Sequence, residues 1–313
     1  GKEFCGTSGE CYDKIDVESE KRAIAFMRKN AKAKKPFFIN YQPTWFNFME
    51  PQPKKASENG GRVPNAYTKL DNFVGRVMKE LKDLSIAENT VLVIMADNGP
   101  MTHNPPPGWA MTDLIYRGGK GDYTEGGVRV PAIAWWPGMI DSNQLVGDII
   151  HVTDLFTTFA RIGGATEYIP TDRVIDGIDQ TELLLEGDSH GHRDYVHIYQ
   201  GHTLAATVKG RYKYHWINQG AGAASGIAQA FYDLYQDPKE LNPQLVPMIH
   251  FLGQFKAMRE RHELMKKAYP DMPNARGIPY TGISNARPET LEITKRLERE
   301  KAAMPASVRK YMD

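Results

Sequence analysis

Apolar and polar residues alternate along this chain with two different periods, and each change of period marks an element. Over residues 17–35, Val17, Ala23, Ile24, Phe26 and Met27 recur at helical spacing among Lys, Arg and Glu, which predicts an amphipathic helix whose basic end is solvated. Pro36 ends it. Phe37-Phe38-Ile39-Asn40-Tyr41 is then a short aromatic run of strand type. A second helix is predicted over 65–84, with Leu70, Phe73, Val74, Val77, Met78 and Leu81 on one stripe. Residues 90–96 form a run of almost pure aliphatics, the pattern of a parallel strand covered by helices on both faces.

The regular pattern lapses between 97 and 129, where Gly, Pro and polar residues dominate. A connection this long inside a compact domain points to function. A strand resumes over 131–136, and a helix over 149–162 is closed by Gly163-Gly164. This alternation predicts a doubly wound sheet up to about residue 190. Beyond Asp194 the period shortens: 195–199, 204–208 and 212–216 read as strands joined by tight connections such as Lys209-Gly210-Arg211, an antiparallel meander. Helices are expected over 244–267 and 288–304. The fold class is therefore α/β, with part of a doubly wound mixed sheet and its flanking helices in residues 1–190. A smaller C-terminal antiparallel sheet subdomain with helices occupies 191–313.

Composition narrows the partners. Of 313 residues 41% are hydrophobic, so a full core is available and disorder as the main state is excluded. Lys and Arg number 39 against 38 Asp and Glu, which argues against nucleic acid as the main partner. No apolar run approaches the ~18 residues of a membrane span, and no signal-peptide core follows Gly1, so no membrane partner is expected. The two cysteines, Cys5 and Cys11, form either a local disulfide or two free thiols.

Two segments carry candidate chemistry. Asp97-Asn98-Gly99-Pro100 follows the aliphatic strand at its carboxyl end, where ligands bind in open α/β sheets. One carboxylate and one amide oxygen side by side suit a hard cation such as calcium or magnesium, although the same tetrapeptide also serves as a plain turn. The second segment runs from Arg117 to Pro131, with glycines on both sides of Lys120. Tight backbone there can present one ammonium to an anion as a point charge; alone, it could equally be a surface loop with a solvated lysine.

In order and spacing these segments resemble the sulfatase family. Further matches are Trp136-Pro137-Gly138, Pro36-Phe37-Phe38, Asp176-Gly177-Ile178-Asp179 with Leu183-Leu184-Leu185, Arg211-Tyr212-Lys213-Tyr214, and Tyr232-Asp233-Leu234 before Asp237-Pro238. The resemblance covers residues 36 to about 242. It implies that Asp97 and Asn98 are two ligands of a calcium ion, with magnesium as the other candidate, and that Lys120 holds the sulfate oxygens. Charge spread over three equatorial oxygens in the transferring group calls for such cations. Glu125 and Arg129 are expected to organise the loop.

Departures from the family pattern are equally specific. Sulfatases attack with a formylglycine made from Cys or Ser in Cys/Ser-x-Pro-x-Arg, but Cys5 is followed by Gly6-Thr7-Ser8-Gly9 and Cys11 by Tyr12-Asp13-Lys14-Ile15. No catalytic nucleophile is present, and no Asp-Asp pair supplies the family's early metal ligands. The resemblance thus implies a sulfatase fragment, inactive alone, whose formylglycine belongs to a missing N-terminal segment. Where some sulfatases have Thr-Arg-Met-His, this chain has Thr44-Trp45-Phe46-Asn47. Asn47 can donate a hydrogen bond to substrate but cannot protonate a leaving group; His103 is the nearest replacement by position, or else an exposed loop histidine.

The substrate implied is a small-molecule sulfate ester or a sulfated glycan, and the compartment is periplasmic or secreted. Self-association through an exposed sheet edge is expected of a truncated sheet. Two alternatives stand: a phosphodiesterase or phosphonate hydrolase of the alkaline phosphatase superfamily, and a non-catalytic module that keeps the fold.

Overall fold

The first amphipathic segment forms helix α1 (Gly9–Lys32) in the computed structural model, which describes residues 9–44, 62–102, 114–217 and 230–270 and the helical positions Lys295, Arg299, Ala302 and Ala303. Helix α2 (Arg62–Asp83) packs against it. Met27, Ala66, Phe73, Val77, Leu81 and Ala87 are the buried centre, with Ile24, Phe37, Ile39, Tyr41, Leu92 and Trp135 around them. Val17 (69% exposed) and Phe26 (45%), expected in the buried stripe, lie outside it. Two fork-like ion pairs, Arg28 to Glu80 and Arg76 to Glu20, join the helices. Their arginines are mostly exposed, so solvent screens both pairs and they fix register more than they stabilise.

Residues 37–41 differ from expectation. They are extended, with Phe37, Ile39 and Tyr41 facing the helical core and Phe38 outward, yet no strand is formed there. Period-two patterning places side chains on alternate faces, but a strand also needs a neighbour to pair its backbone, and none does so among the described residues. Tyr41 stacks on Phe73 at 4.4 Å. Buried Asp16 of α1 accepts hydrogen bonds from both the N–H (2.9 Å) and the hydroxyl (2.8 Å) of Thr44, fixing where this segment ends.

The aliphatic run gives strand β1 (Leu92–Met95), and Ala132–Trp135 gives β2. They pair antiparallel, Leu92 opposite Trp135 and Met95 opposite Ala132, which corrects the parallel arrangement expected of this run. A parallel neighbour needs a crossover to the far end of the sheet. Here the two ends of the connection meet, with Ala96 N–H donating to Pro131 O at 3.3 Å. Nor are both faces covered among the described residues, since Ile133 is 61% exposed.

Helices α3 (Glu125–Val128), α4 (Asp154–Ile162) and α5 (Thr181–Glu186) follow in order. Fully buried Asp154 ties this region together: its carboxylate accepts from the His151 and Ile178 N–H groups and from Arg193, each at 2.8 Å. Strands β3 (Tyr195–Gln200), β4 (Thr203–Lys209), β5 (Tyr212–His215) and β6 (Ala230–Asp233) form the expected antiparallel meander in sequential order, with Gly201 and Gly210 at positive φ in the turns. Helix α6 (Leu245–Ala268) covers one face. Tyr212, Tyr214 and Trp216 point to Phe251 and Phe255 of α6, and the Arg259 guanidinium lies 4.9 Å over Trp216.

Contacts divide the chain into Ser8–Arg261 and a second unit of Gly1–Thr7 with His262–Asp313, of which the described part is the last turns of α6 to Pro270 and the four isolated positions. The packing of α6 generates a prediction. Phe255→Ala removes a ring that is 1% exposed and is expected to lower the stability of the chain by about 3–5 kcal/mol in urea denaturation. A loss below about 1 kcal/mol would contradict the packing described.

Candidate functional site

The site begins where β1 ends. Asp97 is exposed and Asn98 half-buried, and the Asn98 side-chain amide donates to the Gly99 carbonyl at 2.9 Å. Gly99 is buried against the second segment so closely that a Cβ there would lie 1.7 Å from the Gly126 carbonyl oxygen. Its N–H donates to Gly127 O at 3.1 Å, and one residue on, Pro100 O accepts from the Lys120 N–H at 2.8 Å. A Cβ on Gly119 would meet Pro100 O at 2.2 Å, and one on Gly127 would meet Asp122 O at 2.1 Å. Side-chain-free backbone is therefore what lets the two segments interlock.

Within the loop, Gly126 N–H and the Thr124 hydroxyl both donate to Arg117 O at 2.8 Å, and Gly119 N–H donates to the Asp122 carboxylate at 2.8 Å. Gly118 (φ +85) and Gly121 (φ +94) take left-handed conformations on either side of exposed Lys120. The result is one anchored turn whose tip is a lysine.

The base of the loop docks on the meander face opposite α6. Along β5 the side chains alternate, with Lys213 and His215 facing the loop. Lys213 is fully buried: its ammonium donates to Tyr123 O (2.8 Å) and pairs with Glu125 (2.9 Å) and Glu240 (3.0 Å). Glu240, also fully buried, accepts the Glu125 N–H (2.7 Å) on one oxygen and His215 Nε2 (2.7 Å) on the other. Its backbone sits at φ +53, a conformation that disfavours a side-chain-bearing residue and persists where surrounding contacts over-determine it. Tyr123 donates to Ile217 O and meets His215 edge-on at 4.9 Å.

Burial by itself would raise the Glu240 carboxyl, but the His215 hydrogen bond, the Lys213 ammonium and the Glu125 N–H outweigh it and hold it at about 2. Burial pushes His215 the other way, below its ordinary value, against the pull of Glu240. A neutral ring with its proton on Nε2 satisfies both groups, since an ionised carboxylate can only accept.

The interlock brings the backbone of Gly99 and Pro100, next to Asp97 and Asn98, against the Lys120 loop, while Asn47 and His103 lie outside the described residues. Glu125 is buried, turned inward and engaged in holding the loop; Arg129 reaches it at 3.8 Å and covers the Tyr116 ring at 5.0 Å. Lys213, His215 and Glu240 escaped the sequence reading, although the aromatic-basic alternation of 212–216 was their signal. Two oxygen donors suit a hard cation in kind, but calcium takes about six to eight. Among the described residues no three His, Cys, Asp or Glu cluster to add to them.

The Sulfatase family model matches residues 9–165, half of the chain. The chain is 34% identical over 211 residues to N-acetylgalactosamine-6-sulfatase of Canis lupus familiaris, covering 66% of this chain and 39% of that protein. It is 29% identical over 306 residues to human arylsulfatase A, covering 92% of this chain and 54% of that one. The chain thus spans from about two fifths to half of the length of these relatives. The PsFucS1 sulfatase from Pseudoalteromonas sp. superposes with a TM-score of 0.72 at 26% identity, over 87% of this chain and 57% of that one.

Two outcomes follow from the site. Gly99→Ala should destabilise by about 3 kcal/mol, whereas Gly121→Ala, with open space but positive φ, should cost about 1 kcal/mol; equal losses in thermal melts would contradict the interlock. The second concerns acid. A carboxyl held at about 2 in the fold and near 4.5 when unfolded contributes stability that is complete above 4.5 and is lost as pH falls toward 2. Glu240→Gln should therefore show a shallower loss of stability than wild type across that window; an unchanged slope would remove the assignment.

Proposed function

The chain belongs to the sulfatase family, and from that premise we propose that it is the C-terminal part of a sulfuric ester hydrolase. Residues 1–190 would be part of the catalytic α/β domain and 191–313 the antiparallel subdomain with its helical tail. The observation that supports the reading is the backbone interlock of Asp97–Pro100 with the Lys120 loop at the carboxyl end of β1; in this reading it lets hard oxygen donors and one ammonium serve the same anion. That pairing is what an anionic ester with a divalent cation requires.

In this reading water is added across a sulfate ester to give an alcohol and hydrogensulfate. Lys120 binds and orients the non-bridging sulfate oxygens, and the loop behind it keeps that ammonium from relaxing away as charge builds. Asp97 and Asn98 would hold calcium, or magnesium in its place, with the remaining ligands supplied from outside the described residues. A formylglycine carried by a segment other than this sequence would provide the nucleophile, and the cation would neutralise the sulfate charge. Asn47 would donate a hydrogen bond to substrate, and His103 would be the nearest proton donor by position.

The substrate class is a sulfate ester of a small molecule or a glycan. A periplasmic or secreted location is supported by Cys11, which is buried and disulfide-bonded; the only other cysteine, Cys5, lies outside the described residues. No described helix is long and apolar enough to cross a membrane. Exposed Phe38, Ile133 and Phe156 support self-association of the chain alone. A two-zinc phosphodiesterase centre needs several Asp and His ligands, and the described residues give it no such cluster.

The test compares this chain with a longer protein in which it follows a segment bearing Cys-x-Pro-x-Arg. The longer protein is expected to release sulfate from an aryl sulfate, and Lys120→Ala should lower kcat/KM by about 10²–10³-fold. The chain alone should give no turnover. Turnover by the isolated chain, or activity in the longer protein indifferent to Lys120, would overturn the reading.

A further inference from the structure

Lys120 sits between two left-handed glycines, in a turn braced by backbone hydrogen bonds and by the Asp122 and Thr124 side chains. What restrains the loop from behind is charged. Lys213 has three N–H bonds and three acceptors, and two of the acceptors, Tyr123 O and the Glu125 carboxylate, belong to the loop. The third, Glu240, also captures the Glu125 N–H, so the first residue of α3 is held at both its backbone and its side chain. His215 fills the remaining side of Glu240, and the Tyr123 ring rests on His215.

A buried cluster of this kind is poor value as plain stability, because apolar residues of similar size often stabilise a core as well. Two carboxylates and one ammonium with a neutral imidazole leave a residual negative charge, and the Arg129 guanidinium lies 3.8 Å from the Glu125 carboxylate. Its distinctive property is direction. An ionic lattice with every donor and acceptor matched permits one placement of Tyr123 and Glu125, where an apolar contact would permit several.

We propose that Lys213 and Glu240, supported by His215, are positioning residues that act through Glu125 and Tyr123 to fix the Lys120 turn, so that the antiparallel subdomain sets the geometry of the anion site. Its catalytic meaning rests on the sulfatase reading; its structural content does not.

Amide hydrogen exchange on the whole chain tests it, read at the Lys120, Gly126 and Gly127 amides, which donate to Pro100, Arg117 and Thr124 carbonyls. In Lys213→Met, exchange at these amides should speed up at least about tenfold more than at Ala206 and Val208 of β4, which report global opening. Adding Glu125→Gln to Lys213→Met should bring little further acceleration, because both remove one linkage. Should Lys213→Met not fold, Glu240→Gln, nearly the same in size, is read in the same way. Parallel acceleration of loop and sheet amides, unchanged loop protection, or additive effects in the double variant would each overturn the proposal. In the longer protein Lys213→Met should lower kcat more than it raises KM. Loss of loop protection without any sulfate-ester turnover in wild type would leave the positioning role standing and remove the sulfatase reading; turnover dependent on Lys120 with unchanged loop protection would do the reverse.

Discussion

The site depends on one steric fact: backbone lies against backbone where Asp97–Pro100 meets the glycine-rich loop, at a spacing that leaves no room for a Cβ on Gly99 or Gly119. Everything functional is a consequence of that approach. It makes the two cross-segment hydrogen bonds possible, returns the chain for the antiparallel pairing of β1 with β2, and ties the Lys120 N–H to the Pro100 carbonyl. A hydrophobic core could not do this, since apolar packing is non-directional and its contacts need side chains.

The second layer of control comes from far along the chain. The β3–β6 meander is used on both faces: Tyr212, Tyr214 and Trp216 serve the α6 core, while Lys213 and His215 serve the loop. Glu240 closes the arrangement from a strained backbone position. Burying these charges is tolerable only because each is matched by a partner at 2.7–3.0 Å. The meander thus braces the loop from a face whose Lys213 and His215 were not candidate site residues.

Helices and the meander were legible in the sequence because their signals are local: stripes at helical spacing over 65–84, alternation and glycine turns over 195–216. The close backbone approach of the Asp97–Pro100 segment and the Lys120 loop was signalled by glycine spacing and by position after a strand. What the sequence concealed was pairing. Residues 37–41 have strand patterning without a ladder, and β1 runs antiparallel to β2 because of a loop whose close contacts involve residues almost thirty apart. The Lys213–Glu125–Glu240 cluster joins positions 88 and 115 apart, and charge in a strand ordinarily marks a solvated face rather than a buried one.

The central claim is that cation-binding oxygens and the anion-binding lysine share one rigid face. It is tested most directly by titrating Mn2+, a paramagnetic stand-in for calcium, into the isotope-labelled chain and recording amide line broadening. The account predicts broadening confined to residues 97–99 and 119–127 and abolished by Asp97→Ala. Broadening centred elsewhere, or unaffected by Asp97→Ala, would contradict it.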